Sequence, residues 1–177
     1  MSHLTEMSRT MKKYLLPWCV MLLAACAGGH LPIVHSLPAL QQSFVFQVSR
    51  QGEGGDRTQS LLVVDARDAH AWRWIQTDAL GAPVARQIWQ DGQWRNDGFL
   101  PPNPQARQLF IATLPLMLTP AQLQQALPDV QLATGAQGDT TFSRDGRFLW
   151  RSTPHGQDAA VIDFGDGEVR TVERLRE

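Results

Sequence analysis

Residues 100–128 read LPPNPQARQLFIATLPLMLTPAQLQQALP. This stretch decides the fold, because it breaks a chain that otherwise reads as strands. Leu100 to Pro104 stops strand pairing, since proline offers no backbone donor. Asn103 can cap a helix whose first residue is Pro104. Leu109, Phe110, Thr113, Leu114 and Met117 then recur at spacings of about three to four, which predicts an apolar helical face. Pro115 kinks or ends that helix. Thr119-Pro120 repeats the cap-plus-proline signature. Ala121 to Leu127 is a short helix with Leu123, Ala126 and Leu127 on one side, and Pro128 ends it.

Strand signals flank the insertion on both sides. Before it, Phe44, Phe46 and Val48 alternate with Val45, Gln47 and Ser49. QGEGGD (51–56) is a glycine-rich turn. Thr58 to Ala66 holds the run LLVV. His70 to Thr77 carries Trp72 and Trp74, DALGAP (78–83) turns the chain, and Val84 to Gln90 and Gln93 to Asn96 flank Asp91-Gly92. Beyond the insertion, Val130 to Ala133, Thr140 to Arg144, Arg147 to Ser152, Ala159 to Phe164 and Glu168 to Leu175 are strand candidates. Asp145-Gly146 and Asp166-Gly167 are hairpin signals between them. Strands, one helical insertion, then strands imply an antiparallel sheet with helices on one face. A meander of about nine strands curls rather than lying flat. The expected fold is α+β, mainly β: a curled antiparallel sheet, or half-barrel, with a central helical insertion on its concave face.

The chain has 177 residues, 43% hydrophobic and 19% charged. That composition excludes a disordered chain, a collagen-like chain and a disulfide scaffold. The net charge of −1 hides an asymmetry. Arg9, Lys12, Lys13 and Glu6 fall in the first 25 residues. The remaining 152 carry 13 arginines, no lysine and 16 acids. A mildly acidic body without a basic patch argues against nucleic acid as a partner. The two cysteines, Cys19 and Cys26, both precede the body, so no disulfide staples it.

Few residues offer chemistry. Ser60, Ser143 and Ser152 lie in strand-like runs without a G-x-S-x-G elbow. His30 and His35 flank a Gly/Pro segment, and His70 and His155 are the only other histidines of the body. No H-E-x-x-H or phosphate-binding loop occurs. Asp163, Asp166 and Glu168 form a loose acidic cluster without EF-hand spacing. We therefore expect no enzyme, no metal and no cofactor. The unusual feature is tryptophan: Trp72, Trp74, Trp89, Trp94 and Trp150 all lie in the body. Trp72 and Trp74 point to one face of a strand. Such rings either fill a core or line a cavity for an apolar ligand. On the second reading Trp72, Trp74, Trp89 and Trp150 form the wall. Phe110, Leu114 and Met117 cover the mouth, with methionine suited to flexible acyl chains.

The N-terminus reads as an address. In MKKYLLPWCVMLLAAC (11–26) a lysine pair precedes a short apolar run and small residues. The run is shorter than the roughly 20 residues needed to span a bilayer. Leu23-Ala24-Ala25-Cys26 resembles the lipobox of bacterial lipoproteins. That resemblance implies a signal peptide over 1–25, with Met11 (or Met7) a candidate true start, and a diacylglycerol on Cys26. Ala27, where an aspartate commonly retains such proteins in the inner membrane, implies the outer membrane, on its periplasmic face. Residues 26–42, with Gly28-Gly29, Pro32 and Pro38, are expected to be a tether, with a helical turn or two over Leu37 to Gln42.

Lipobox, tether, strand meander, Leu/Pro-rich insertion and returning hairpins together resemble the LolA/LolB-type half-barrel lipoproteins. More closely, SLLVVD (60–65), the segment around Leu80-Gly81 and LPLMLTPAQLQQALP (114–128) resemble a bacterial lipoprotein family catalogued as domain of unknown function 3261. The resemblance implies a half-barrel domain over 43–177 and a non-enzymatic carrier of a lipid, acyl or aryl polyene-like cargo. Its other implied partners are the membrane and envelope transport or biosynthesis proteins. LolB-type proteins also carry an exposed apolar loop used in lipoprotein insertion. A structural or assembly protein that docks a partner is the alternative, and a filled interior would favour it.

Overall fold

A computed structural model describes residues 31–52 and 54–176. The signal peptide expected over 1–25, and Cys26, lie outside the described residues. Pro32 to Glu177 forms one compact unit.

Ten strands build one antiparallel sheet. They are β1 (Ser43–Gln51), β2 (Arg57–Asp65), β3 (Ala71–Asp78), β4 (Pro83–Gln90) and β5 (Gln93–Asn96), then β6 (Gln131–Thr134), β7 (Thr140–Arg144), β8 (Arg147–Pro154), β9 (Ala159–Asp163) and β10 (Val169–Leu175). Two helices separate the groups: α1 (Pro104–Ala112) and α2 (Pro120–Ala126), linked through a 3-10 turn at Leu114–Leu116. The count is ten strands where about nine are expected. The order is β5-β4-β3-β2-β1-β10-β9-β8-β7-β6. Each half is a hairpin meander, and the halves join where β1 pairs β10, Val48 opposite Val172. The sheet is unclosed. Its edges, β5 and β6, are four residues each, short enough to limit edge-to-edge pairing. Register shifts at Gln76/Thr77 and Phe142/Ser143 bend their strands. Length and bulges together are consistent with a curled sheet.

The insertion leaves one edge strand and returns at the other, so the chain must cross a face of the sheet. It crosses the face carrying Phe46, Leu62, Trp74, Ile162 and Val172, all fully buried. Both helices start as the sequence predicts. The Asn103 side chain accepts from the Ala106 N–H, and Thr119 and Gln122 form a capping box. α1 stops at Ala112, and Pro115 sits in the 3-10 turn. At the β4–β5 and β7–β8 turns, Asp91-Gly92 and Asp145-Gly146 all take positive φ. Those are the values a two-residue hairpin turn needs, and glycine adopts them without a Cβ clash.

From residue 32 onward, the segment expected to be a tether is packed against the sheet and the insertion instead. Val34 and Leu37 are buried. The Trp89 indole N–H donates to the Val34 carbonyl at 3.2 Å, and that of Trp72 to Pro38 at 2.9 Å. His35 N–H donates to Ala126 of α2, and Leu40 N–H to Ala66. Residues 37–42 form no helical turn. Leu40 N–H and the Pro38 and Gln42 carbonyls pair with Ala66 and Trp72 instead, and His35 reaches α2, so 32–42 is a strap between the tryptophans and the insertion.

Candidate functional site

Alternation along the strands places the aromatic side chains on the covered face. Trp72 and Trp74 lie two apart on β3, ring centroids 5.5 Å apart. Trp72 is opposite Trp89 on β4, and Trp89 opposite Trp94 on β5. The Trp94 ring lies 4.9 Å from that of Trp74, and Phe110 of α1 stacks on Trp74 at 6.1 Å and 14°. Of the seven residues picked from sequence, Trp72, Trp74, Trp89 and Phe110 belong to this half of the sheet. Trp150 is in the other half, stacked on Phe142 at 4.4 Å. Leu114 is buried and Met117 half-buried in the turn after α1. Trp72, Trp74, Trp150, Trp89, Phe110 and Leu114 are thus packed side chains, as the core reading expects.

Three groups in this half escaped the sequence reading. Trp94 was legible: a two-residue Asp-Gly turn forces Trp89 and Trp94 to face each other. Gln87 is 1% exposed. Its Nε2 donates to the Asn103 carbonyl, and its Oε1 accepts from Arg107 Nε, both at 3.2 Å. One buried amide thereby ties the start of α1 to β4. The Arg107 guanidinium also lies over the Trp94 ring, 5.5 Å from its centroid. Burial pulls the Arg107 pKa below its ordinary value. No local pattern announces either polar residue.

The indole N–H groups divide. Those of Trp72 and Trp89 are spent on the strap. Those of Trp74, Trp94 and Trp150 are buried without a partner. A buried donor left unpaired costs about 1–3 kcal/mol.

The covered face opens at the end where β1 meets β2 and β3 meets β4. A cleft of about 260 Å³ lies there, lined by Val48, Arg50, Ser60, Gln76, Leu109 and Arg170 among others. That is below the roughly 300–1,000 Å³ of common ligand sites. Gln76 Nε2 donates to Ser60 Oγ at 2.9 Å. Arg170 Nη2 is held by Asp166 at 2.9 Å and Glu168 at 3.0 Å. Two acids of the loose cluster are therefore spent on an arginine, while Asp163 accepts from the Gly165 N–H at 2.7 Å. Burial acts to raise the Asp166 pKa, but the Arg170 hydrogen bond and the Glu168 N–H outweigh it, and the pKa is lowered. The topology sends the β3–β4, β7–β8 and β9–β10 turns and the exit from β5 to this same end. Leu80, 95% exposed, tops the β3–β4 turn, and the exposed Val84, Phe99, Phe148 and Val169 lie nearby in sequence on these connections. A second, polar cleft of about 420 Å³ at the opposite end includes His155, Arg174 and an Asp158–Arg176 ion pair. His70 is exposed beside Asp91. Among the described residues no three potential metal ligands converge, and no helix is long and apolar enough to cross a membrane.

Fold and site define a class: an open antiparallel sheet whose aromatic face is covered by its own helical insertion. Residues 39–175 match the model of the family described as protein of unknown function (DUF3261), and the chain belongs to that family. No curated protein matches it.

Proposed function

We propose that this chain is a lipoprotein, anchored through Cys26 to the outer membrane on its periplasmic face. Its LolA/LolB-like half-barrel holds an acyl-type lipid, aryl polyene-like chains included, between the aromatic face and the insertion. The observation that carries this reading is the covered aromatic face, with Phe110 of the insertion stacked on Trp74. The cover is two short helices, its start tied to β4 by one amide, and its lifting is the step this reading requires. A chain entering there displaces Phe110 from Trp74 and gains about 25 cal/mol per Å² of apolar area removed from water.

The open end supports a lipid surface as the place of loading. Leu80 and Phe99 project into solvent at the end where the amphipathic cleft lies. Exposed apolar side chains around a cleft suit the boundary of a bilayer. Leu80 is the side chain we assign to the exposed apolar loop that LolB-type proteins use. No covalent step is involved, and envelope transport or biosynthesis proteins are the partners that would deliver cargo.

The test is titration of the chain with a fluorescent fatty-acid analogue, following tryptophan quenching. Saturable binding supports the carrier, and none refutes it. The tight packing of Trp72, Trp74 and Trp150 favours a second reading, an assembly lipoprotein docking a partner protein without a ligand. Absence of acyl binding in the titration would select it.

A further inference from the structure

We propose that Arg107, Trp74 and Trp94 form a recognition site for the anionic head group of the cargo, a carboxylate or a phosphate. This rests on the acyl-carrier reading for the chain of the cargo, but the head-group site stands on its own observations.

Arg107 is the first. It lies in the opening turn of α1, where the helix dipole is positive and a cation is on the wrong end. That turn contains no acidic residue. Arg107 is part-buried, and no carboxylate among the described residues pairs with it. Arg50, Arg86 and Arg170, by contrast, each have one. Only a neutral amide oxygen and an aromatic face meet its charge. The second observation is independent. The Trp94 ring under the guanidinium and the Trp74 ring beside it both bury an indole N–H with no acceptor. Trp74 is fully buried. A part-buried cation thus lies over one of two adjacent rings whose indole N–H groups lack an acceptor, and an oxyanion is the ligand that all three groups favour. Arginine binds carboxylate and phosphate through paired N–H donors, which selects this ligand class over a neutral one. Phe110 of α1, stacked on Trp74, is the side chain that the apolar part of the same ligand would displace.

The test compares four probes on the full chain: decanoate, decyl phosphate, decanol and inorganic phosphate. The expected result is that decanoate or decyl phosphate binds at least tenfold tighter than decanol. Which of the two is tighter distinguishes a carboxylate from a phosphate head. In Arg107→Gln that preference should fall to near one, and Arg107→Lys should recover part of it. Should Arg107→Gln unfold, Trp94→Phe keeps the ring under the cation but removes one donor, and a severalfold loss of the preference is expected. Equal affinity for decanol and the two anionic chains overturns the head-group site and leaves the acyl carrier standing. A preference that survives in both Arg107→Gln and Trp94→Phe also overturns it. Binding of inorganic phosphate that depends on Arg107, with none of the chains bound, supports the site and refutes the carrier. Binding of no probe refutes both.

Discussion

Gln87→Leu isolates the tie between the insertion and the sheet. Leucine has nearly the volume of glutamine, so no cavity opens, but both hydrogen bonds at 3.2 Å are lost. The bond to the Asn103 carbonyl is neutral, worth about 1 kcal/mol, and the bond from Arg107 is charge-assisted, worth about 1.5–3 kcal/mol. Asn103 and Arg107 are part-exposed and recover some of this from water, which leaves a destabilisation of about 2–3 kcal/mol. Urea unfolding reads it directly: with a slope of about 1–3 kcal/mol per molar, the midpoint falls by about 0.7–3 M. Hydrogen exchange should place the loss. Amides of α1 should exchange faster than the global change accounts for, whereas those of β1 and β10 follow it. A loss below about 0.5 kcal/mol, or α1 exchanging no faster than β1, would refute the idea that Gln87 holds the cover.

Trp89→Phe removes the donor to Val34. It should cost about 1 kcal/mol for the hydrogen bond, plus a cavity term for the smaller ring, and make residues 32–42 more sensitive to limited proteolysis, which would be unchanged if the strap were not held there. The Asp166 pKa is lowered in the folded chain, so its contribution is present above the unfolded value of about 3.9 and is lost as pH falls through the folded value. Asp166→Asn should therefore lower the urea midpoint at neutral pH and converge with the parent in acid; a constant difference across pH would contradict this. Cys26→Ser should release the chain from the membrane fraction and abolish acyl labelling, and a variant that stays membrane-bound would show that the anchor lies elsewhere.

The sequence is most legible where local chemistry decides the backbone. Asn103-Pro104 and Thr119-Pro120 fix both helix starts, and Asp91-Gly92 and Asp145-Gly146 fix two hairpins. Alternation puts Trp72 and Trp74 on one face. What is not local is not legible. The pairing of β1 with β10 joins strands more than a hundred residues apart, and no turn sets its register. The strap misleads because Gly, Pro and His read as linker, while its Val34 and Pro38 carbonyls are called for by indoles elsewhere in the chain. Gln87 and Arg107 are ordinary polar residues at sequence level. They become a site only when the insertion lies across β4 and β5.

On the proposed function, the covered aromatic face receives an acyl chain beside Trp74 and Trp94. The indole N–H resonances of a two-dimensional proton–nitrogen spectrum report on each tryptophan separately. On titration with decanoate, the Trp74 and Trp94 resonances should shift saturably and together, while Trp72 and Trp89, tied to the strap, move little. A spectrum in which neither the Trp74 nor the Trp94 resonance moves at saturating decanoate would contradict the account.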